Sequence, residues 1–426
     1  MSRRPSRVRS WQALLACCLG LAVLPACAPA PSAQSGDNRL RVGAVYPLSG
    51  NQAEGADELA GVKVAADLVN AAGGVRSRSI EITAQDTPGE ADGPRAVDHL
   101  VDQGINVIIG TYGSTQSLTA SARASQRGAT YLETGAVADA VTGRGLPGIL
   151  RTVATGSTLG RNGARWAHDF IIPGFKLSPA TARIVVLFEG DQYGAAVGYG
   201  SIDEASLLGL NVVDTIKYDS RSANYDALAD RVSADHADLI LTAAYLEDAV
   251  AFRRAAVAHH IPLKSIIGTS SAYCRQDFGD ILGPDAVGLF ASDKPDENFN
   301  ESGLTATARD LLHRAVADYH ARFGKTMTAA AISGFVGGWV MFHDILPRSG
   351  STSRADLMRA AIALDLPPGS EINGAGVKFA DAAQPDAGQN RRAVSVIWEW
   401  VGLRKRAVVY PPNYAQQAPQ ILSIAS

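Results

Sequence analysis

Apolar and polar residues alternate along this chain in blocks that predict strands and helices in regular succession. In the first part, short runs of branched apolar residues predict strands at 40–45, 80–84, 107–109 and 129–132. The segments between them carry apolar residues three or four positions apart, which is the spacing of a helix. In the helix predicted over 56–71, for example, Leu59, Val62, Ala66 and Val69 share one face.

The same pattern then starts again. Strands are predicted at 183–188, 211–218, 238–241 and 265–267, with helices between them at 194–208, 225–234 and 247–259. Repeated strand–helix–strand units form parallel sheets that helices cover on both faces. Because a helix around 159–171 separates the two series, the pattern predicts an α/β protein with two similar lobes.

The last third of the chain does not begin another sheet. It carries a short strand at 288–292, two helices at 307–323 and 329–346, and a final strand at 394–401. Helices with so few strands need an existing sheet to cover. We therefore expect this part to return to both lobes.

The first residues have the features of an export signal. Four arginines precede an apolar stretch at 11–24, and the sequence LPAC follows, ending at Cys27. This is similar to the motif in which a bacterial signal peptide is removed and the cysteine receives lipid. We predict a signal peptide at 1–26, a lipid on Cys27 and a flexible tether at 27–37; the alternative is an ordinary signal cut near Ala26 or Ala30.

Composition excludes several classes of protein. The 426 residues suit two or three domains. Without the four arginines of the signal, 35 basic residues stand against 42 acidic ones, a net charge of −7, which argues against nucleic-acid binding. Cys274 would be the lone thiol of the body, so no disulfide or zinc cluster is expected.

Chemistry-bearing residues gather where predicted strands end. INVIIGTYGSTQS (105–117) passes from a strand through Gly110 and Gly113 to Ser114 and Thr115, where a helix can begin. Ligands of parallel sheets bind at the carboxyl ends of strands, beside helix N-termini. The hydroxyls could therefore hold a ligand carboxylate or carbonyl, or they could merely cap the helix.

Three further strand ends have a similar composition. LETGAV (132–137) offers the backbone groups of Gly135 and Ala136, and EGDQYG and AAY bring Tyr193 and Tyr245 to the same edge. Tyrosines there can close over a ligand and donate their hydroxyls. The acids of these segments could serve as acid and base in catalysis or hold an amine or hydroxyl of a ligand: Glu133, Glu189 and Asp191. Phosphate-binding loops, nucleophile elbows and metalloprotease motifs are missing from the sequence.

The order of these motifs resembles the leucine/isoleucine/valine-binding type of periplasmic binding protein, the receptor of ABC importers. VGAVYPLSG (42–50), NAAGGV (70–75), QDT (85–87), VIIGTYGST (107–115) and DQYG (191–194) carry the resemblance. It implies two Rossmann-like lobes joined by three crossing strands, with the ligand between them. The lobes would comprise 38–155 plus 292–385 and 156–291 plus 386–426.

The resemblance also implies a set of binding residues. Ser114 matches the serine that holds a ligand carboxylate, and Gly135 to Val137 match the assisting strand end. A threonine near Val137 and an acid near Ser270, which bind the ammonium of amino acids in this family, have no counterpart here. The candidate binding residues are Tyr112, Ser114, Thr115, Gly135, Ala136, Val137, Tyr193, Tyr245 and Ser270.

The sequence therefore predicts a lipid-anchored, monomeric solute receptor outside the cytoplasm, with no cofactor, metal or nucleic acid. Its partners would be an ABC permease with its ATPase, and its ligand an amino acid, an amide or urea-like compound, or an organic acid. Two alternatives are a ligand sensor of the same fold and a secreted α/β hydrolase with Ser114 as nucleophile.

Overall fold

The computed structural model describes residues 38–50, 52 and 54–424. The predicted signal peptide, the tether and the lipid site at Cys27 lie outside these residues. The predicted α/β class is confirmed, because the described chain forms two largely parallel sheets flanked by helices.

The first sheet has five parallel strands in the order β2-β1-β3-β4-β5. Its strands are β1 (Arg39–Tyr46), β2 (Ser79–Asp86), β3 (Val107–Gly110), β4 (Thr130–Glu133) and β5 (Ile149–Arg151). Its helices are α1 (Glu54–Ala71), α2 (Asp92–Asp102) and α3 (Ser114–Gln126). β3 and β4 are buried along their whole length, as their unbroken apolar runs indicate.

The second sheet has seven strands in the order β12-β11-β10-β9-β8-β6-β7. Its strands are β6 (Ile184–Glu189), β7 (Val212–Tyr218), β8 (Leu239–Ala243), β9 (Ser265–Thr269), β10 (Phe290–Asp293), β11 (Val396–Gly402) and β12 (Lys405–Tyr410). Its helices are α4 (Gly156–Trp166), α5 (Ile172–Gly174), α6 (Gln192–Leu207), α7 (Tyr225–Ala234), α8 (Leu246–Ala258) and α9 (Gln276–Leu282). β11 pairs antiparallel with both β10 and β12, and the other neighbouring strands of this sheet pair parallel.

The late helices return to the first lobe. They are α10 (Ala306–Phe323), α11 (Ala329–Trp339), α12 (Leu346–Arg348) and α13 (Arg354–Ile362). α11 packs along α1 and continues through a π-helical turn into α12. The segment Ala329–Arg348 is long and apolar enough to cross a membrane, but 83% of its apolar window is buried inside the fold, as expected of a core helix.

The chain passes between the sheets three times: after β5, after β10 and before β11. The first and third passages are joined by buried side chains. Arg151 donates from Nε to Gln389 Oε1 at 2.6 Å, and Asn390 donates to the carbonyl of Thr152 at 3.1 Å. The lobe boundaries that the sequence suggested stay a prediction.

Some elements differ from expectation. The strand predicted at 394–401 is not the last one, because β12 follows it after a short turn and pairs with it. β12 was not predicted because it begins with two charged residues, Lys405 and Arg406, which shorten its apolar run. β5, with three residues, is too short to show a period, and α9 and α13 were not predicted either.

Candidate functional site

The carboxyl ends of strands from both sheets enclose a small cavity. Its volume is about 10 Å³, the room of about one water molecule. First-lobe loops line one side and second-lobe loops line the other. The lining residues are Tyr112, Gly113, Ser114, Gly135, Val137, Tyr193, Tyr245, Ser270, Ser271 and Lys294.

Ser114 begins α3 without capping it. The N-cap is Gly113, and no side chain accepts a cap hydrogen bond there, so the helix-cap alternative for Ser114 and Thr115 is wrong. Instead, Ser114 Oγ accepts the N–H of Ala138 at 3.2 Å. Its hydroxyl proton can then be donated into the cavity, next to the positive end of the helix dipole.

Glu133 supports the loops of the site from beneath. Its carboxylate is fully buried and accepts hydrogen bonds at 2.8–3.2 Å from four backbone N–H groups and one tyrosine, and a further short one from a serine. The donors are Thr111, Thr134, Gly135, Ala136, Tyr131 and Ser117. Burial raises the pKa of Glu133, while the hydrogen bonds from Ser117, Gly135, Thr111 and Ala136 lower it.

This arrangement corrects two expectations. Glu133 does not line the cavity, so it serves neither as a catalytic acid nor as a partner for a ligand amine. The N–H groups of Gly135 and Ala136 are also not the free donors that the strand-end pattern suggested, because both donate to Glu133.

Two glycines allow close contacts inside the protein. A Cβ on Gly135 would lie 1.8 Å from Glu58 Oε1, so a side chain there would displace a buried carboxyl. Gly110 has a φ of +153°, and a Cβ on it would lie 2.1 Å from the carbonyl oxygen of Val45. Gly110 therefore serves the packing of β3 on β1 and not the approach of a ligand.

Side-chain contacts also join the lobes in this region. The hydroxyls of Tyr112 and Ser271 lie 2.9 Å apart. Glu54, at the start of α1, forms an ion pair with Arg275, the N-cap of α9. Burial raises the pKa of Tyr112 well above its ordinary value, so its hydroxyl stays protonated.

Tyr193 and Tyr245 form the wall on the second-lobe side. Their ring centroids are 5.4 Å apart. The Tyr193 hydroxyl lies 2.8 Å from Thr269 Oγ1, and the Tyr245 hydroxyl donates to Asp191 Oδ2 at 2.6 Å. Both hydroxyls therefore have protein partners, and the rings are what they offer to the cavity.

A wider cavity of about 710 Å³ adjoins the small one and shares Tyr245 and Ser271 with it. Six carboxylates and two arginines line it: Glu54, Glu90, Glu189, Asp191, Glu247, Asp248, Arg221 and Arg275. Burial raises the pKa of Glu189 to about 7, and it also raises the pKa of Asp191. This cavity is therefore suited to neutral or cationic groups.

The end of β10 brings two charged residues that sequence reasoning missed. Asp293 is 2% exposed, and it accepts from the Cys274 thiol at 2.9 Å through Oδ2. Lys294 is 4% exposed and lines both the small cavity and a third cavity of about 570 Å³. The sequence did contain a sign of this position, because SDK (292–294) ends an apolar run as the other site residues do.

The small cavity brings together seven of the nine candidate residues, from Tyr112 and Ser114 in the first lobe to Tyr193, Tyr245 and Ser270 in the second. Thr115 lines the wider cavity instead, and Ala136 is not a lining residue of either. The role of all nine residues in binding stays a prediction. Within residues 38–50, 52 and 54–424, no group of three acidic, histidine or cysteine side chains could hold a metal ion.

Known proteins share features of sequence and fold with this chain. Residues 39–396 match the family model described as periplasmic binding protein. The chain is 30% identical over 382 residues to Leu/Ile/Val-binding protein homolog 8 of Brucella abortus (strain 2308), covering 88% of this chain and 91% of that protein.

Solved structures share the fold at lower identity. The leucine-binding protein LivK of Thermotoga maritima superposes with a TM-score of 0.72 at 18% identity, covering 87% of this chain and 97% of that one. A solute-binding protein of an ABC transporter from Rhodopseudomonas palustris BisB5, in complex with 3,4-dihydroxybenzoic acid, gives 0.65 at 17% identity, covering 91% and 98%.

Proposed function

The chain belongs to the periplasmic binding protein family of ABC importers, and on that premise we propose that it captures one small polar ligand between its lobes and delivers it to an ABC permease. It is a solute-binding protein and not an enzyme, as the matching family indicates. Ser114 is accordingly a binding group in this proposal and not a nucleophile.

One observation carries the proposal. The small cavity is built from the strand ends of both lobes, and Tyr112 of one lobe contacts Ser271 of the other across it. A ligand in this place would contact both lobes at once. Separation of the lobes by a hinge motion would then admit and release it.

The proposed ligand is an amino acid, an amide or urea-like compound, or an organic acid. The relatives support two of these. One is named a Leu/Ile/Val-binding protein homolog, and one solved structure holds an aromatic acid. The leucine-binding protein and the protein in complex with the aromatic acid share this fold, so the fold accepts ligands with and without an ammonium group.

A thermal-shift panel tests the proposal. The purified protein is heated with amino acids, amides, ureas, and aliphatic and aromatic acids in turn. A ligand at about 100 times its dissociation constant adds about 2.7 kcal/mol to the free energy of unfolding. For lobes of this size the expected rise in Tm is on the order of 5–10 °C; no rise with any small polar compound would refute the proposal.

We also propose that a lipid on Cys27 holds the receptor at the membrane surface, with 27–37 as a tether. The support is the LPAC motif after an apolar segment. Expression of the full chain with a radiolabelled fatty acid should label the wild type but not a Cys27→Ser variant. Release of an unlabelled wild type into the medium or periplasm would refute the anchor.

A further inference from the structure

Lys294 is a buried lysine at the wall of the small cavity, and no described residue forms a direct ion pair with it. It follows β10, is 4% exposed and lines the small cavity. Among the described residues, no hydrogen bond or ion pair reaches its ammonium group, although its backbone carbonyl accepts from Trp398 Nε1 at 3.1 Å. A side chain so buried and so unpaired is costly for the folded protein.

Other lysines of the chain behave differently. Lys325 forms an ion pair with Asp57, and Lys378 forms one with Asp365 at 2.8 Å. Their side chains are 52% and 43% exposed, so water also solvates them. Among the described residues Lys294 has no direct ion pair, and it has little contact with water; that combination points to a partner supplied from outside the chain.

Two buried acids, Asp293 and Glu58, interact electrostatically with Lys294. Asp293 accepts from Cys274, and Glu58 lies beside Thr134 at 3.5 Å. The charge of Lys294 lowers the pKa of both acids, while burial raises it. Among the described residues, neither acid forms a direct ion pair with the Lys294 ammonium group.

The groups around the small cavity favour an anion. Ser114 can donate its hydroxyl, the N-terminus of α3 adds positive potential, and no carboxylate of the described chain lines this cavity. The adjoining 710 Å³ cavity has the opposite character, with six carboxylates against two arginines. A ligand that spans both would be anionic at one end and neutral or cationic at the other.

Resting on the proposed function, we propose that Lys294 is the counter-ion of a single carboxylate on the ligand. It makes the receptor select carboxylic acids over amides and ureas of the same shape. The carboxylate accepts from the Lys294 ammonium and the Ser114 hydroxyl, while the remainder of the ligand points past Tyr245 and Ser271 toward the wider cavity. An amide in that position would leave the buried ammonium without a counter-charge.

The test uses acid–amide pairs of matched shape. Isothermal titration calorimetry at pH 7.5 compares leucine with leucinamide, benzoate with benzamide, and 3,4-dihydroxybenzoate with its amide, with urea included. The proteins are the wild type, Lys294→Met, Lys294→Gln and Lys294→Arg. Lys378→Met is the matched control, because Lys378 pairs with Asp365 at 2.8 Å and lines none of the three cavities.

The expected result is that at least one acid binds the wild type and its amide binds about 30-fold more weakly or worse, the usual loss when a buried charge pair loses one member. In Lys294→Met and Lys294→Gln, the affinity for the acid falls by a similar factor, so that the acid and its amide bind about equally. Lys294→Arg keeps the preference, and Lys378→Met equals the wild type. If Lys294→Met fails to fold, the affinities of Lys294→Gln test the proposal instead, because that variant keeps a polar side chain.

Other outcomes overturn one proposal or both. If an amide or urea binds as tightly as the acids, or if both neutral variants keep the preference for the acid, the receptor function stands and the role of Lys294 is refuted. If none of these compounds, and no compound of the wider thermal-shift panel, binds the wild type, the receptor function is refuted and the role of Lys294 falls with it.

Discussion

Two strand ends of the cleft each carry a buried charge, and the protein treats them in opposite ways. At the end of β4, Glu133 is fully buried and accepts from four backbone N–H groups and the hydroxyls of Ser117 and Tyr131. At the end of β10, Lys294 is 4% exposed, and no hydrogen bond or direct ion pair from the described residues reaches its ammonium group. One charge is satisfied internally and the other is not.

The difference separates a structural charge from a binding charge. A carboxylate surrounded by donors stabilises the loops that carry those donors, and it has little capacity left for a ligand. An unpaired buried ammonium destabilises the protein until something neutralises it. Substitutions at the two positions should therefore act on the free energy of unfolding with opposite signs.

The largest effect is expected for Glu133→Ala. The variant leaves the N–H groups of Thr111, Thr134 and Gly135 without their carboxylate acceptor, and it should lower the free energy of unfolding by about 3–5 kcal/mol. Urea denaturation measures the loss. Glu301→Ala, which removes a carboxylate from the surface, is the control and should cost much less; equal losses would contradict the structural role.

Lys294→Met should have the opposite effect. Without ligand, the variant should be more stable than the wild type by about 1–3 kcal/mol, because an isolated buried charge is replaced by an apolar side chain of similar length. The measurement is again urea denaturation at pH 7. A clear loss of stability would mean that Asp293 or Glu58 uses the ammonium to stabilise the fold, and the contrast with Glu133 would disappear.

The same two residues show what the sequence could and could not predict. The parallel sheets follow from periodicity, because a buried strand such as 107–109 and an amphipathic helix such as 56–71 repeat in order. Strand ends therefore indicated where the site lies. They brought Glu133 forward as a site residue, since sequence alone does not show which donors surround a carboxylate.

Lys294 was missed for a related reason. It follows a strand of four residues, and whether its ammonium finds a partner depends on Glu58 and Thr134, which are more than 150 positions away along the chain. Ser114 was recognised because its position after β3 resembles a known motif, but its contact with Ala138 depends on how two loops pack. Burial and pairing are tertiary properties, which no local pattern encodes.

Ser114→Ala separates binding from local support on the first-lobe side. We expect the affinity for a carboxylate ligand to fall by about 1–3 kcal/mol, because one hydroxyl donor is lost. Calorimetry with the best acid of the panel measures it. Thr115→Ala is the matched control, since Thr115 lines the wider cavity and should change affinity less. If Ser114→Ala binds the acid as tightly as the wild type does, Ser114 does not bind the ligand and only accepts the hydrogen bond from Ala138.

The smallest effect concerns the acidic wall of the wider cavity. Burial raises the pKa of Glu189 to about 7 from an ordinary value of 4.5. The protonated form is thus favoured by folding, and the stability that Glu189 contributes is complete below pH about 4.5 and is lost as the pH rises through 7.

Glu189→Gln keeps an acceptor for the N–H of Ser220, which now donates to Glu189 Oε2 at 2.8 Å, and removes the ionisation. The variant without ligand should gain about 1–2 kcal/mol over the wild type at pH 8 and almost nothing at pH 4.5. Urea denaturation at both pH values measures the gain, with Glu90→Gln, an exposed acid of the same cavity, as control. A loss of stability at pH 8 would show that the Glu189 carboxylate, like that of Glu133, is stabilised by donors within the protein, and the contrast would then lie between Lys294 and both acids.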